Sequence, residues 1–208
     1  PFFVGCMIIP LIFFLRRTLE ETPAFLAMKR HPSANEVFAS ALANWRIVLL
    51  GMMIAILTTT TFYFVTVYTP PFGKTVLKLS SQDALLVTLL VAVTNFFWNP
   101  VGGALSDRIG RKPVLVGIAT LALLTAYPAL SWLVAAPTFG KLLAVEMMFS
   151  FYFGVYSGTM LGALVEIVPA HVRTTCFSLA FALAAALFGT FTPFASTWLI
   201  ARTGDQAS

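Results

Sequence analysis

Long apolar runs divide the sequence, and they constrain its fold more than any other feature. Five of them reach the length of about 20 residues that a helix needs to cross the hydrocarbon core of a bilayer. They cover roughly residues 46–69, 84–105, 114–135, 141–165 and 174–200. A sixth run ends near Leu15 and is cut off at Pro1. The sequence therefore predicts an all-α integral membrane protein with five complete transmembrane helices and the end of one more.

The composition excludes the soluble alternatives. Of the 208 residues, 59% are apolar and 10% are charged, whereas a soluble domain carries about 25% charged residues. So few charges cannot cover a globular surface, and so much apolar surface is incompatible with disorder. The two cysteines, Cys6 and Cys176, are far apart and lie in or beside apolar runs. They form neither a metal-ligand pattern nor a disulfide framework, so no cofactor is expected.

The charges between the runs predict an orientation in the membrane. Nine cations fall on one side of the bundle: Arg16, Arg17, Lys29, Arg30, Arg46, Arg108, Arg111, Lys112 and Arg173. The other side holds four: Lys74, Lys78, Lys141 and Arg202. By the positive-inside rule, the side with nine cations is cytoplasmic. Nucleic-acid binding would need basic residues clustered on one face, whereas these cations are scattered between apolar runs. The net charge of +5 therefore indicates a lipid bilayer as the partner and no nucleic acid.

The predicted organisation has three parts. Residues 1–15 are the end of a transmembrane helix, 16–45 form a cytoplasmic loop, and 46–208 form an incomplete transmembrane bundle. Ser33 followed by Glu36 matches a capping box, which predicts a short helix over 34–43 at the membrane face. The chain opens inside an apolar run, with no initiating Met and no charged start of a signal peptide. We therefore expect an internal piece of a longer protein.

The most informative motif lies between the second and third complete spans. It runs Gly-Ala-Leu-Ser-Asp-Arg-Ile-Gly-Arg-Lys-Pro over residues 103–113. Gly103 allows close helix approach, and Gly110 allows a tight turn between antiparallel helices. The segment resembles the G-x-L-x-D-R-x-G-R-K signature of the major facilitator superfamily at every fixed position. In that family the signature follows the second helix and recurs after the eighth, and the span count favours the second copy here.

Two further segments carry the same resemblance. Residues 19–25, Leu-Glu-Glu-Thr-Pro-Ala-Phe, resemble the acidic, Pro-containing stretch that follows the family's sixth helix. Residues 166–173, Glu-Ile-Val-Pro-Ala-His-Val-Arg, resemble the E-x-x-P-x-x-x-R stretch that follows its tenth. The resemblance implies that the chain is the C-terminal half of the family's helical bundle. An N-terminal half of the same protein would then be its partner.

Shorter segments narrow the resemblance. Residues 16–25 resemble the branch of metabolite–proton symporters, which carry organic acids, proline and betaine. Residues 68–74, Tyr-Thr-Pro-Pro-Phe-Gly-Lys, resemble the citrate and tricarballylate carriers of that branch. The resemblance implies a multi-pass protein of the bacterial inner membrane that moves citrate or a related tricarboxylate with protons by alternating access. Another organic acid, proline, betaine or a neutral solute such as a sugar remains the alternative cargo.

Polar residues inside the spans are candidates for substrate binding, because polar side chains in lipid tend to face the bundle interior or a water-filled path. They are grouped one or two helical turns apart. The candidates are Thr59, Tyr63, Asn95, Asn99, Tyr152 and Tyr156. Each could equally pair across a helix–helix interface. Three glycines spaced by four, Gly154, Gly158 and Gly162, predict a close-packed helix face, and Gly189 with Pro193 predicts a bend.

Charged residues at the cytoplasmic helix ends are candidates for a gate. They are Asp107, Arg108, Arg111, Glu166 and Arg173. We expect Asp107 to meet the N-terminus of the span that starts near Thr174, with Arg108 and Arg111 within reach of Glu166. Opening toward the cytoplasm would break these contacts and so bias the balance between two states.

One acid, Glu146, lies inside a span, about one turn beyond Lys141. It is a candidate for proton coupling. A contact with Lys141, or hydration near the outer interface, is the alternative.

The spans lack enzymatic chemistry. They contain no Ser/His/Asp constellation, no paired catalytic acids and no metal-ligand cluster, and both histidines, His31 and His171, fall in loops. The sequence therefore predicts no enzyme. No Arg or Lys lies in the middle of a complete span, although Arg is the usual bidentate partner of a carboxylate. Either the cationic anchor for an organic anion comes from the N-terminal half, or the substrate is less charged than citrate.

Overall fold

The computed structural model describes residues 6, 8–18, 34–75, 77, 78, 80–169 and 172–204. The chain divides into two units, Pro1–Phe38 and Ala39–Ser208. The first unit contains α1, Ile8–Thr18, which carries Arg16 and Arg17 in its last turn. These cations lie where the helix dipole is negative and so favour the end of the helix. The acidic stretch at residues 19–25, the predicted cap Ser33 and both histidines lie outside the described residues.

Helices make up nearly all of the described chain, and no strand occurs in that part of it. The short helix α2 spans Ala34–Ala43. It is followed by α3 (Trp45–Thr75), α4 (Ser81–Ile109), α5 (Arg111–Ala135), α6 (Phe139–Ile167) and α7 (Arg173–Thr203). Among the described residues these last five are long and apolar enough to cross a membrane. The predicted all-α membrane fold with five complete spans is confirmed.

Helix α6 is the centre of the second unit. In its most apolar stretch 61% of the residues are buried, against 11% in α5. It packs against α3, α4 and α5, whereas α7 packs mainly against α3. The large apolar side chains exposed on α4 and α5, such as Phe96 and Leu123, are those expected to face lipid.

Glycines bring α4 and α6 into backbone contact. A Cβ placed on Gly158 would overlap the carbonyl oxygen of Asn99, and one on Gly154 would overlap the Cβ of Trp98. Gly102 faces the backbone of Val155 in the same way. The predicted close-packing face on α6 is therefore confirmed. Gly110 has φ +97°, which fits its predicted role in the turn between α4 and α5.

Two of the long helices contain a π-helical turn. In α3 it covers Phe64–Tyr68, and in α7 it covers Ala185–Gly189. The π turn of α7 packs against the part of α3 that precedes the π turn of that helix, since a Cβ on Gly189 would lie 2.7 Å from the Tyr63 ring. The predicted bend in the last span is therefore seen as a π turn followed by a break before Thr192.

The first span continues past its predicted end. We expected it to end near residue 69, before two prolines, but α3 continues to Thr75. Proline lacks an N–H and removes a hydrogen bond from a regular helix. Here the π turn that ends at Tyr68 changes the hydrogen-bonding register, so Pro70 and Pro71 lie in the first turn of the helical segment that starts at Thr69.

Candidate functional site

A cavity of about 410 Å³ lies between α3, α6 and α7. Its polar lining consists of four hydroxyl-bearing residues: Thr58, Thr59, Tyr63 and Ser157. The rest of the lining is apolar and includes Phe62, Phe153 and Phe181. Two predicted binding residues, Thr59 and Tyr63, are therefore brought to one cavity. Polar groups that converge in a mostly apolar cavity are typical of a binding site for a small molecule.

The hydroxyls in this cavity differ in what they already bind. The Thr59 hydroxyl is bonded along its own helix to the Ile56 oxygen at 3.0 Å, and lies 3.4 Å from the Ala184 oxygen of α7. The Thr58 hydroxyl is buried and has no hydrogen-bond partner within the described residues. An unsatisfied buried hydroxyl is costly, so Thr58 is the group best placed to bind a ligand. Sequence patterns missed it because it lies inside a run of four threonines.

Predicted binding residues outside this cavity have partners of their own. Asn99 donates to the Asn95 backbone oxygen at 3.0 Å, and the side-chain oxygen of Asn95 accepts from Ser150 at 2.7 Å. Tyr156 is buried and donates to the Ile54 oxygen of α3 at 2.9 Å. The Asn99 bond lies within α4, whereas the bonds of Asn95 and Tyr156 link α6 to α4 and to α3 as helix–helix contacts.

Tyr152 lines a second cavity, of about 430 Å³, between α3, α5 and α6. Its hydroxyl lies 2.8 Å from that of Thr125 on α5. The other residues around this cavity are almost all apolar, with Thr60 and Thr61 as the exceptions. The six predicted binding residues are thus divided between two cavities and the interfaces of α6.

The predicted gate is centred on Arg111, the first residue of α5. Its Nη2 lies 2.9 Å from Glu166 Oε1 at the end of α6, and 2.6 Å from Asp107 Oδ1 at the end of α4. It also donates to the Ser106 hydroxyl. The side chain lies against Gly162, where a Cβ would be 2.8 Å from the guanidinium carbon. One planar cation thus joins the ends of three helices.

The remaining gate candidates lie apart from this cluster. Arg108 is exposed at the end of α4. Arg173, the first residue of α7, donates through Nε to the oxygen of Val168, which directly follows α6, at 3.4 Å. Asp107, which we expected to meet the N-terminus of the last span, forms its ion pair with Arg111 instead. That pairing is favoured because the two residues are separated by one turn around Gly110.

Glu146 is buried in α6, with 2% of its surface exposed. Its Oε1 accepts a hydrogen bond from the Thr69 hydroxyl of α3 at 2.7 Å. The alternative of a contact with Lys141 or of simple hydration is wrong. Lys141 donates to the Trp132 oxygen at 3.3 Å and lies over the Trp132 ring, and Glu146 is closed off by packing.

The fold and the site define a multi-pass helical membrane protein with a cavity that four hydroxyl-bearing residues line and with an ion-paired cluster at the ends of three helices. Residues 1–193 match the model of the Major Facilitator Superfamily, and the chain belongs to that family. With relatives from bacteria, this makes it a multi-pass protein of the bacterial inner membrane. No solved structure matches the chain.

Named relatives fall into two groups. Over 208 residues the chain is 57% identical to the citrate-proton symporter of Salmonella typhi, with all of this chain and 48% of the relative covered. It is also 57% identical to the citrate-proton symporter of Klebsiella pneumoniae, covering 47% of that protein. Identity to the proline/betaine transporter of Escherichia coli K12 is 30%, over 96% of this chain and 42% of the relative. The chain thus spans about half the length of the curated relatives it matches.

Proposed function

We propose that this chain is the C-terminal half of a proton-coupled symporter for citrate or a related tricarboxylate. The 57% identity to two citrate-proton symporters, which extends over the whole chain, carries the proposal. The identity of about 30% to proline/betaine transporters makes a zwitterion the second candidate. Substrate and protons cross the membrane without chemical conversion, so the protein is a carrier and not an enzyme.

The cavity between α3, α6 and α7 is the proposed part of the substrate site on this half. Thr58, Thr59, Tyr63 and Ser157 offer hydroxyls to the carboxylates and the hydroxyl group of the substrate. The residues described around this cavity include no cation. A trianion needs one, and we assign that cation to the N-terminal half, which would close the cavity from the opposite side.

The Arg111 cluster is the proposed cytoplasmic gate. Its ion pairs join α5 to α4 and α6 at the end that the positive-inside rule assigns to the cytoplasm. Opening toward the cytoplasm separates these helix ends, so the ion pairs stabilise the outward-facing state. Arg108 and Arg173 remain proposed members of this gate.

The proposal is tested with the complete transporter, both halves included, in proteoliposomes with an imposed inward proton gradient. We expect labelled citrate to accumulate only while the gradient persists, and excess unlabelled tricarballylate to block its uptake. A protonophore, which collapses the gradient in the same vesicles, is the control.

Proline and betaine are tested in parallel as competitors and as labelled substrates. Gradient-driven uptake of betaine without uptake of citrate would reject the tricarboxylate and favour the zwitterion. Citrate uptake of equal rate and extent with and without the gradient would reject proton coupling.

A further inference from the structure

We propose that Glu146 is the carboxyl group that binds the cotransported proton, and that Thr69 transmits its protonation state to the π turn of α3. This inference deepens the proposed function, since it assigns the proton site of that symporter. It rests on a buried carboxyl group, on a hydroxyl shared between two acceptors, and on the irregular backbone to which that hydroxyl is attached.

The surroundings of Glu146 suit a group that gains and loses a proton. It lies seven residues into α6, about 10 Å along the helix from Phe139. Its Oε1 accepts from Thr69, whereas its Oε2 is buried with no hydrogen-bond partner in the described part of the chain. An ionised carboxylate uses both oxygens as acceptors, and a protonated one needs fewer donors.

No charged side chain of the described residues forms an ion pair with Glu146. Among the described residues, the charges at this end of the bundle are Lys74, Lys78, Asp83, Lys141 and Arg202. Lys74 and Lys78 are exposed, and Lys141 is held by Trp132. Arg202 lies over the Trp198 ring of its own helix.

Tyr68, the other titratable group near Thr69, stacks on Phe72 and packs against Phe64. A buried carboxylate without a cation is costly. A structural glutamate at this depth would therefore be expected to carry a permanent cationic partner, and none of the described residues provides one.

Thr69 has one hydroxyl proton and two acceptors. Its Oγ1 lies 2.7 Å from Glu146 Oε1 and 3.1 Å from the backbone oxygen of Phe64. When Glu146 is ionised, the hydroxyl donates to the carboxylate. When a proton from the outer aqueous side binds that carboxylate, the carboxylic acid donates to Thr69 Oγ1, and the Thr69 hydroxyl turns to the Phe64 oxygen. One bound proton thus reverses the hydrogen bond between Thr69 and Glu146 and moves the Thr69 hydroxyl proton to the Phe64 oxygen.

The far end of that chain is the π turn of α3, which starts at Phe64 and ends directly before Thr69. The Phe64 oxygen already accepts the backbone N–H of Thr69. A second bond from the hydroxyl strengthens the closure of this turn. The turn follows Tyr63, whose ring borders the substrate cavity. Protonation of Glu146 can therefore alter the geometry of the binding cavity through the backbone of α3.

The first test compares exchange with driven uptake for Glu146→Gln in the complete transporter, reconstituted in proteoliposomes. Glutamine mimics the protonated acid but cannot release a proton. We expect counterflow of labelled citrate to persist, while gradient-driven accumulation falls by about tenfold or more. Citrate-induced proton uptake, measured with a pH dye in weak buffer, should disappear. Asp83→Asn removes an acid from the same end of the bundle and should leave all three measurements unchanged.

Thr69 is tested as a positioning residue. Thr69→Val removes the shared hydroxyl, and Thr69→Ser keeps it. We expect the valine variant to shift the pH profile of driven uptake and the serine variant to restore it. A wild-type profile in Thr69→Val would overturn the role of the hydroxyl.

A second measurement uses the folded wild-type protein and does not depend on transport. Infrared difference spectra between acidic and alkaline pH should show the C=O band of a buried carboxylic acid, and Thr69→Val should shift that band. Absence of such a band, or a band unmoved by Thr69→Val, would overturn the proposal even if Glu146→Gln fails to fold. Wild-type proton coupling that persists in Glu146→Gln would also overturn it. If the wild-type protein transports no citrate, only the proposed function is refuted. The infrared measurement still decides whether Glu146 binds a proton.

Discussion

At the scale of single residues, Arg111 illustrates how one side chain can join three helix ends. Its ion pair with Asp107 joins residues four apart across the Gly110 turn, whereas its pair with Glu166 joins two helices 55 residues apart in sequence. Only the second pair must break when α5 and α6 separate. The two carboxylates are more than half exposed, and exposed ion pairs contribute about 1 kcal/mol or less. We therefore expect these ion pairs to change the equilibrium between the inward-open and outward-facing states rather than the stability of the fold.

Loss of the ion pair with Glu166 should change the equilibrium between the two states more than loss of the ion pair with Asp107. Glu166→Gln should shift the equilibrium toward the inward-open state by a factor of about five, and Asp107→Asn by less. The measurement is the inward-to-outward ratio, obtained from the distance between spin labels on the cytoplasmic ends of the two halves. Lys112→Gln, which removes the exposed cation next to Arg111, is the control. Equal ratios in Glu166→Gln and wild type would show that this ion pair does not belong to the gate.

At the scale of elements, the contact between α4 and α6 depends on missing side chains. Gly158 faces the Asn99 oxygen and Gly154 faces Trp98, so the two helices pack backbone to backbone. The same pair of helices is bridged by polar side chains, since Ser150 bonds to Thr94 at 2.8 Å and to Asn95 at 2.7 Å. Small residues and polar bridges are the usual means of joining helices in lipid, where no hydrophobic effect drives the helices together.

Gly158→Ala should therefore destabilise the bundle. The added methyl group would overlap the Asn99 backbone, and overpacking of this kind costs about 1–3 kcal/mol. We expect a lower melting temperature in detergent, measured as the loss of the monodisperse peak in size-exclusion chromatography. Gly140→Ala is the matched control on the same helix, because nothing lies within 4 Å of a Cβ there. A melting temperature for Gly158→Ala as high as that of Gly140→Ala would refute the close contact.

Sequence reasoning succeeded where the signal is local. Hydropathy is a property of a short segment, so the five spans were predictable from the sequence. The turn at Gly110 was predictable because glycine itself favours such a turn. The continuation of α3 past Pro70 was missed, because a proline normally indicates the end of a helix and a π turn has no sequence signature. The partner of Glu146 was missed because Thr69 lies 77 residues away. The Asn95–Asn99 pair was recognised by its helical spacing, but only the packing of α6 shows that Asn95 bonds to Ser150.

At the scale of the whole molecule, the exposed surface separates into two kinds. Large apolar side chains cover the outer faces of α4 and α5, with Leu123 81% exposed. Hydroxyls from α3 and α6 converge at the cavity that α7 borders. The apolar outer faces of α4 and α5 are suited to contact with lipid, and the hydroxyls of the cavity are suited to contact with water and a polar solute. The cavity is also where we propose that an N-terminal half closes the substrate site.

A cysteine placed in the cavity should therefore report both water access and substrate. In the complete transporter with its exposed Cys6 replaced by serine, we expect Ser157→Cys to react with a membrane-impermeant maleimide and citrate to slow that reaction. Cys176 is 1% exposed and should contribute little background. Phe96→Cys, on the exposed apolar face of α4, is the control and should stay unlabelled because the charged reagent cannot enter the hydrocarbon core. Labelling of Ser157→Cys that citrate leaves unchanged would place the substrate elsewhere, since a tricarboxylate held by Thr58 and Ser157 must occlude a thiol at the same position.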